Sequence, residues 1–125
     1  MCSILVVDDV KVWRDAVCRI LGTRPGLQVI AQAADGEEAV QLAEELKPDL
    51  IVLDIGLPKL DGLHAAAQIS KLSPASRVIF LSQENDPDTV QAALSIGLSA
   101  YVYKPKATTE LLCAVKATLE ETDHE

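Results

Sequence analysis

Three acids, one hydroxyl and one ammonium stand at the same kind of place in this 125-residue chain, the polar end of a short apolar run. Asp8 and Asp9 follow residues 3–7 (SILVV), Asp54 follows 50–53 (LIVL), Ser82 follows 77–81 (RVIFL) and Lys104 follows 100–103 (AYVY). Apolar runs without polar alternation read as strands buried on both faces, as in a parallel sheet. Such a sheet gathers the C-terminal ends of its strands at one edge, where open α/β folds bind ligands. Taken singly, each residue reads as a solvated loop acid, a turn serine or a surface lysine. Their convergence on one crevice points to chemistry.

Carboxylates a few ångströms apart repel by about 4 kcal/mol per close pair at an effective dielectric of about 20, so the site must recruit positive charge. Oxygen donors without His or Cys favour a hard cation, and Mg²⁺ needs only one or two carboxylates while keeping several waters. Lys104 adds a second positive charge. A pocket of this kind suits a transferring phosphoryl group, for which catalysis is mostly positioning and charge neutralisation. Asp54 can then act as nucleophile and become an aspartyl phosphate, with Ser82 donating to one phosphoryl oxygen, Lys104 paired with another and Mg²⁺ on the third.

The intervening stretches must carry the chain back across the sheet. Residues 11–21 place Val12, Trp13, Ala16, Val17, Ile20 and Leu21 on one helical stripe, closed by Gly22 and Pro25-Gly26. Residues 28–33 (QVIAQA) form a weaker, more polar strand suited to an edge. Asp35 reads as an N-cap, with Glu38 placed to reach back and Pro48 ending the helix. Pro58 and Asp61-Gly62 make a rigid connection into a helix over 63–72. Asp86-Pro87 opens a helix running to Gly97, and Thr108 is predicted to cap a last helix with Leu111, Leu112, Val115 and Leu119 inward. Strands and helices alternating about five times define an α/β class, a doubly wound parallel sheet with helices on both faces. One domain over residues 1–125 is expected.

A formal net charge of −8 argues against direct binding of nucleic acid or anionic lipid. Cys2, Cys18 and Cys113 are odd in number and without a CxxC pattern, so they read as small buried apolar residues of a reducing cytoplasm. No segment approaches membrane-spanning length and the N-terminus is unlike a basic signal peptide, so a soluble, cytoplasmic protein is expected.

From VVDD (6–9) through LDIGLPKLDG (53–62) and FLS (80–82) to AYVYKP (100–105), the chain resembles the receiver domain of two-component response regulators along essentially its whole length. The DIGLPKLDGL stretch looks most like receivers joined to helix-turn-helix DNA-binding domains. No such output domain is expected within residues 1–125, which fits either a truncated or a stand-alone receiver. The resemblance implies a five-stranded, flavodoxin-like (CheY-like) sheet of order 2-1-3-4-5, the order of this family's chemotaxis regulator. It implies Mg²⁺ as cofactor, Asp54 as phosphoacceptor, Asp8 and Asp9 as the metal pair, Ser82 as the switch hydroxyl and Lys104 as the phosphate-binding lysine. Gly56 matches the position whose backbone carbonyl binds the metal, and Tyr101 the aromatic that swings inward on activation, with ordinary strand packing as its alternative.

The implied partners are a sensor histidine kinase or phosphotransfer protein and an output partner in transcription. A phosphorylation-dependent homodimer or effector contact would use residues 88–96, Tyr101 and 107–119, or the first-helix side. Only self-phosphorylation and autodephosphorylation are implied, not turnover of an external substrate. Gly56 puts no side chain over the phosphoryl group and Gln83 stands where a small residue is common; both bear on how fast phosphate is lost, in either direction. Val10, His64 and His124 read as surface or helix residues.

Three other readings stand beside this one. A stand-alone receiver would serve as a phosphotransfer intermediate. A Mg²⁺-dependent phosphatase of the haloacid-dehalogenase type would carry its nucleophile in a DxD after the first strand and add a cap domain, whereas here the paired acids are adjacent and the lone acid ends the third strand. A binding module without phosphorylation is disfavoured by the full set of site residues.

Overall fold

The apolar runs become five strands, β1 (Cys2–Val7), β2 (Leu27–Ala33), β3 (Leu50–Asp54), β4 (Arg77–Ser82) and β5 (Ser99–Tyr103). Five helices alternate with them: α1 (Lys11–Gly22), α2 (Gly36–Leu46), α3 (Gly62–Leu72), α4 (Pro87–Leu94) and α5 (Ala107–Asp123). A computed structural model gives this fold over residues 1–83, 85–96 and 99–123, with side chains over the same residues except 99 and 120–123. The predicted end of α4 at Gly97, and His124, lie outside the described residues.

The sheet runs in the order β2-β1-β3-β4-β5 with every neighbouring pair parallel. Alternate residues of each inner strand face opposite sides, which produces two cores. Leu5, Val7, Ile51, Leu53, Val78 and Phe80 pack toward Ala39 and Ala43 of α2, Ala66 and Ile69 of α3 and Ala93 of α4. Ile4, Val6, Leu50, Val52, Ile79 and Leu81 pack toward Val17 and Leu21 of α1 and Leu111 and Val115 of α5. Burying each such large side chain contributes about 1.5–3 kcal/mol. Central β3 is buried throughout, Asp54 included. Strand β2 lies at an edge and alternates half-buried with exposed residues. Its register against β1 slips between Ile4 and Leu5, which leaves the exposed Ile30 as an unpaired extra residue.

Three of the helices, α2, α3 and α4, start on an aspartate cap. Asp35 accepts the Glu38 N–H (2.8 Å), while Glu38 reaches back to the Ala34 N–H (2.9 Å), one residue before the cap. Asp61 caps α3 through the His64 N–H (3.0 Å), and Asp86 caps α4 through the Thr89 N–H (3.2 Å). Thr108 does not cap the last helix. The chain leaves β5 in a 3₁₀ turn, Lys104–Lys106, whose Lys104 carbonyl accepts the Ala107 N–H, and α5 starts from that turn with Thr108 already inside it. Val12, at 76% exposed, leaves the predicted stripe because it stands about 180° around the helix from the buried Leu21. Cys113 is exposed for the same reason, about 200° from the inward Leu111, while Cys2 and Cys18 are half-buried and all three are free thiols. Among the described residues, no helix is long and apolar enough to cross a membrane.

Two glycines allow close packing beneath the strand ends. A Cβ on Gly62, the first residue of α3, would collide with the Asp54 carbonyl oxygen and stand 2.6 Å from Ile55 Cα. One on Gly36 would collide with the Leu60 carbonyl. Each obstacle is backbone that cannot rotate aside. Gly62→Ala is therefore expected to cost at least about 2 kcal/mol, as overpacking does, and to displace Asp54; urea denaturation measures the loss, and a variant as stable as the parent would contradict the packing.

Candidate functional site

The local sequence places each polar group by ending a strand. Asp8 is one residue past β1, Asp54 and Ser82 are the last residues of β3 and β4, and Lys104 is the first residue after β5, so parallel pairing sets all four at one edge. Carboxylate oxygens of Asp8, Asp9 and Asp54 lie within 4.8 Å of one another. Asp8 is 1% exposed, Asp54 7%, and Asp9 is open to solvent. A cleft of about 270 Å³ opens above them, lined by Asp9, Val10, Asp54, Ile55, Gly56, Ser82, Gln83 and Lys104.

Lys104, itself 3% exposed, lays its Nζ 2.7 Å from Asp8 Oδ2 and 3.5 Å from Asp54 Oδ2. Asp8 Oδ1 accepts the Val10 N–H at 2.9 Å, whereas the buried Oδ2 accepts no well-directed hydrogen bond and has the ammonium as its close neighbour. Asp54 Oδ1 takes a long bond from the Gly56 N–H at 3.4 Å. Past Asp54, the Ile55 N–H bonds the Leu81 carbonyl (3.1 Å), and the Ile55 carbonyl receives the N–H groups of Leu57 (2.9 Å) and Gly62 (2.8 Å). Those bonds fold the loop back on itself and leave the cleft open over Gly56, where a Cβ would meet nothing within 4 Å among the described residues.

Burial raises the Asp54 carboxyl above its ordinary value; the Lys104 ammonium opposes the rise, and the Asp8 and Asp9 charges add to it. Three ionised carboxylates and one ammonium formally leave two negative charges at the cleft. An all-oxygen donor set and open space beside Asp9 and Gly56 fit a hard divalent cation.

Asp8, Asp9, Asp54, Gly56, Ser82 and Lys104 thus come together, with the buried Asp8 beneath the cleft. Tyr101 does not line it. On β5, opposite Phe80, Tyr101 is half-buried against the core on the α4 side. His64 is exposed, with its Nδ1 2.6 Å from Asp61 Oδ2. The sequence reading missed two neighbours on α1. Arg14 donates through Nη1 to the Asp8 carbonyl (2.7 Å) and through Nε to Gln32 Oε1 (3.2 Å), and the Trp13 ring lies under Lys104 Nζ, 4.9 Å from centroid to nitrogen. The signal available was that α1 begins two residues after the acid pair and so must bring its first turn over them.

A doubly wound parallel domain with clustered acids and a buried lysine at its strand ends is an α/β domain built to hold charge at that edge. The family described as "Response regulator receiver domain" matches residues 4–116, and the chain belongs to it. Among its relatives is the transcriptional regulatory protein DegU of Brevibacillus brevis, 36% identical over 118 residues that cover 94% of this chain and 50% of DegU. A LuxR-family two-component response regulator from an Aurantimonas species is similar in structure, with a TM-score of 0.91 at 33% identity, over 97% of this chain and 86% of that one. CheY of Borrelia burgdorferi, solved as a CheX-CheY-BeF₃-Mg²⁺ complex, matches with a TM-score of 0.88 at 29% identity, over 94% of this chain and 89% of that one. The chain spans about half the length of the curated relatives it matches.

Proposed function

We propose that residues 1–125 form one receiver domain that works as a phosphorylation switch, accepting a phosphoryl group on Asp54 from a histidine kinase or a phosphotransfer protein. The observation that carries this reading is the trio of carboxylates within 4.8 Å whose buried members share the Lys104 ammonium. Asp54 supplies the nucleophilic oxygen: a P–O bond forms to the carboxylate as the donor's P–N bond breaks, and the imidazole leaves. Lys104 stays within reach of the new phosphoryl oxygens, and Ser82, buried at the neighbouring strand end, donates to one of them. Asp8, Asp9, Asp54 and the Gly56 carbonyl are the residues that would hold Mg²⁺. When bound, Mg²⁺ neutralises charge on the transferring group and lowers the repulsion among the acids. That the similar Borrelia CheY was solved with Mg²⁺ and BeF₃ bound supports a Mg²⁺-dependent phosphoryl site in this chain.

Phosphorylation replaces the single carboxylate charge of Asp54 with roughly two on the phosphoryl oxygens, carried farther out from the strand end, which draws Ser82 and Lys104 toward the phosphate. Moving a population from 1:99 to 99:1 takes about 5.5 kcal/mol, within reach of a few charge-assisted bonds. Tyr101, half-buried on β5, is the residue suited to relay that motion to the α4–β5–α5 side, and thence to a second copy or an output partner in transcription. Turnover of an external phosphomonoester is not part of this reading. Intact mass after incubation with acetyl phosphate is the test. One phosphoryl group is gained with Mg²⁺ and none in EDTA; a gain independent of the metal, or no gain in either buffer, overturns the assignment.

A further inference from the structure

We infer that Trp13 is a positioning residue for Lys104, its ring forming an apolar seat on which the ammonium shifts between the carboxylates and an incoming phosphoryl group; the functional half of this rests on the proposal above. Lys104 is 3% exposed, and the groups about its Nζ are Asp8 Oδ2 at 2.7 Å, Asp54 Oδ2 at 3.5 Å and the Trp13 ring at 4.9 Å. An ammonium within about 6 Å of an indole face is attracted by the ring's quadrupole, most strongly where water is excluded. That attraction has no single acceptor direction. A third carboxylate in the ring's place would lock the lysine, and water would screen it. The indole does neither, so the ammonium can change carboxylate partners without leaving its seat. The seat is tied to the site it serves. Arg14, the next residue on α1, donates to the Asp8 carbonyl at 2.7 Å and to Gln32 on β2 at 3.2 Å, fixing the first turn of α1 over the acids.

Trp13 is the chain's one tryptophan, so its emission reports this contact directly. In metal-free protein, Lys104→Met should shift the emission maximum. With Mg²⁺ and acetyl phosphate, Trp13→Leu should slow phosphoryl uptake roughly tenfold while Trp13→Phe, which keeps a ring face, stays within about twofold. In the Lys104→Met background, Trp13→Leu should slow uptake no further, because the cycle isolates the pair. The affinity for Mg²⁺ should be the same in all the Trp13 variants. Unshifted emission, a wild-type rate in Trp13→Leu, or an equal loss with and without Lys104 overturns the inference. Should the unsubstituted protein take up no phosphoryl group, the switch reading falls, while emission and the effect of Trp13→Leu on stability with and without Lys104 still decide the contact.

Discussion

Asp54→Asn is expected to abolish the phosphoryl mass gain and, at neutral pH, to raise the melting temperature. The first effect follows from removing the attacking carboxylate. The amide that replaces it is a poor nucleophile and carries no charge. The second follows from burial, which raises the Asp54 carboxyl above its ordinary value in the folded state. A carboxyl whose folded value exceeds its unfolded one contributes its full stability below the unfolded value and loses it as pH rises through the folded value. At pH 7 the ionised Asp54 is therefore a net cost that asparagine removes. The variant's advantage, about 3–5 °C for each kcal/mol relieved, should shrink as pH falls through the folded value and vanish below the ordinary carboxylate range. Intact mass and melting curves across pH measure both. A retained mass gain would move the acceptor elsewhere, and a variant less stable than the parent at pH 7 would contradict the electrostatics.

Lys104→Met should be the most destabilising single change at the site. Methionine keeps the length of the stem and removes the charge, leaving Asp8, 1% exposed, and Asp54 facing each other without their ammonium. Removing one partner of a buried ion pair costs about 3–5 kcal/mol, far more than the loss of an exposed pair such as Lys11–Asp15. Denaturant unfolding in EDTA should show the loss. Adding Mg²⁺ at about a hundred times its dissociation constant should return roughly 2.7 kcal/mol. Asp8→Asn in the same background should also restore stability, because it removes the orphaned charge. A Lys104→Met protein within about 1 kcal/mol of the parent would mean that the ammonium is incidental to the acids.

Much of this site was legible because apolar runs stop at polar residues. Strands 50–53 and 77–81 have no alternation to confuse their reading, and parallel pairing does the gathering. Strand order was not legible from pattern and came with the resemblance. Periodicity carries no information on how far a side chain reaches after its strand ends, so that the Lys104 ammonium lies directly on Asp8 could not be read. Trp13 was hidden for a related reason: it sits on a stripe that reads as core, and only tertiary packing brings it under a lysine from the far end of the chain. The Thr108 cap failed because a threonine before an apolar stripe looks like a helix start, while Pro105 had already begun the turn. Gly62 looked like a turn residue but is needed for clearance, a difference that only neighbouring backbone reveals.

The extra residue at Ile30 interrupts the regular pairing of β2 at the margin of the sheet. An outermost strand with a straight, regular ladder invites a neighbour to continue the sheet through main-chain bonds, which any sequence can supply. Here the mismatch lies in the β1–β2 ladder, and the local bend such a bulge brings makes the free edge a poorer template for that continuation.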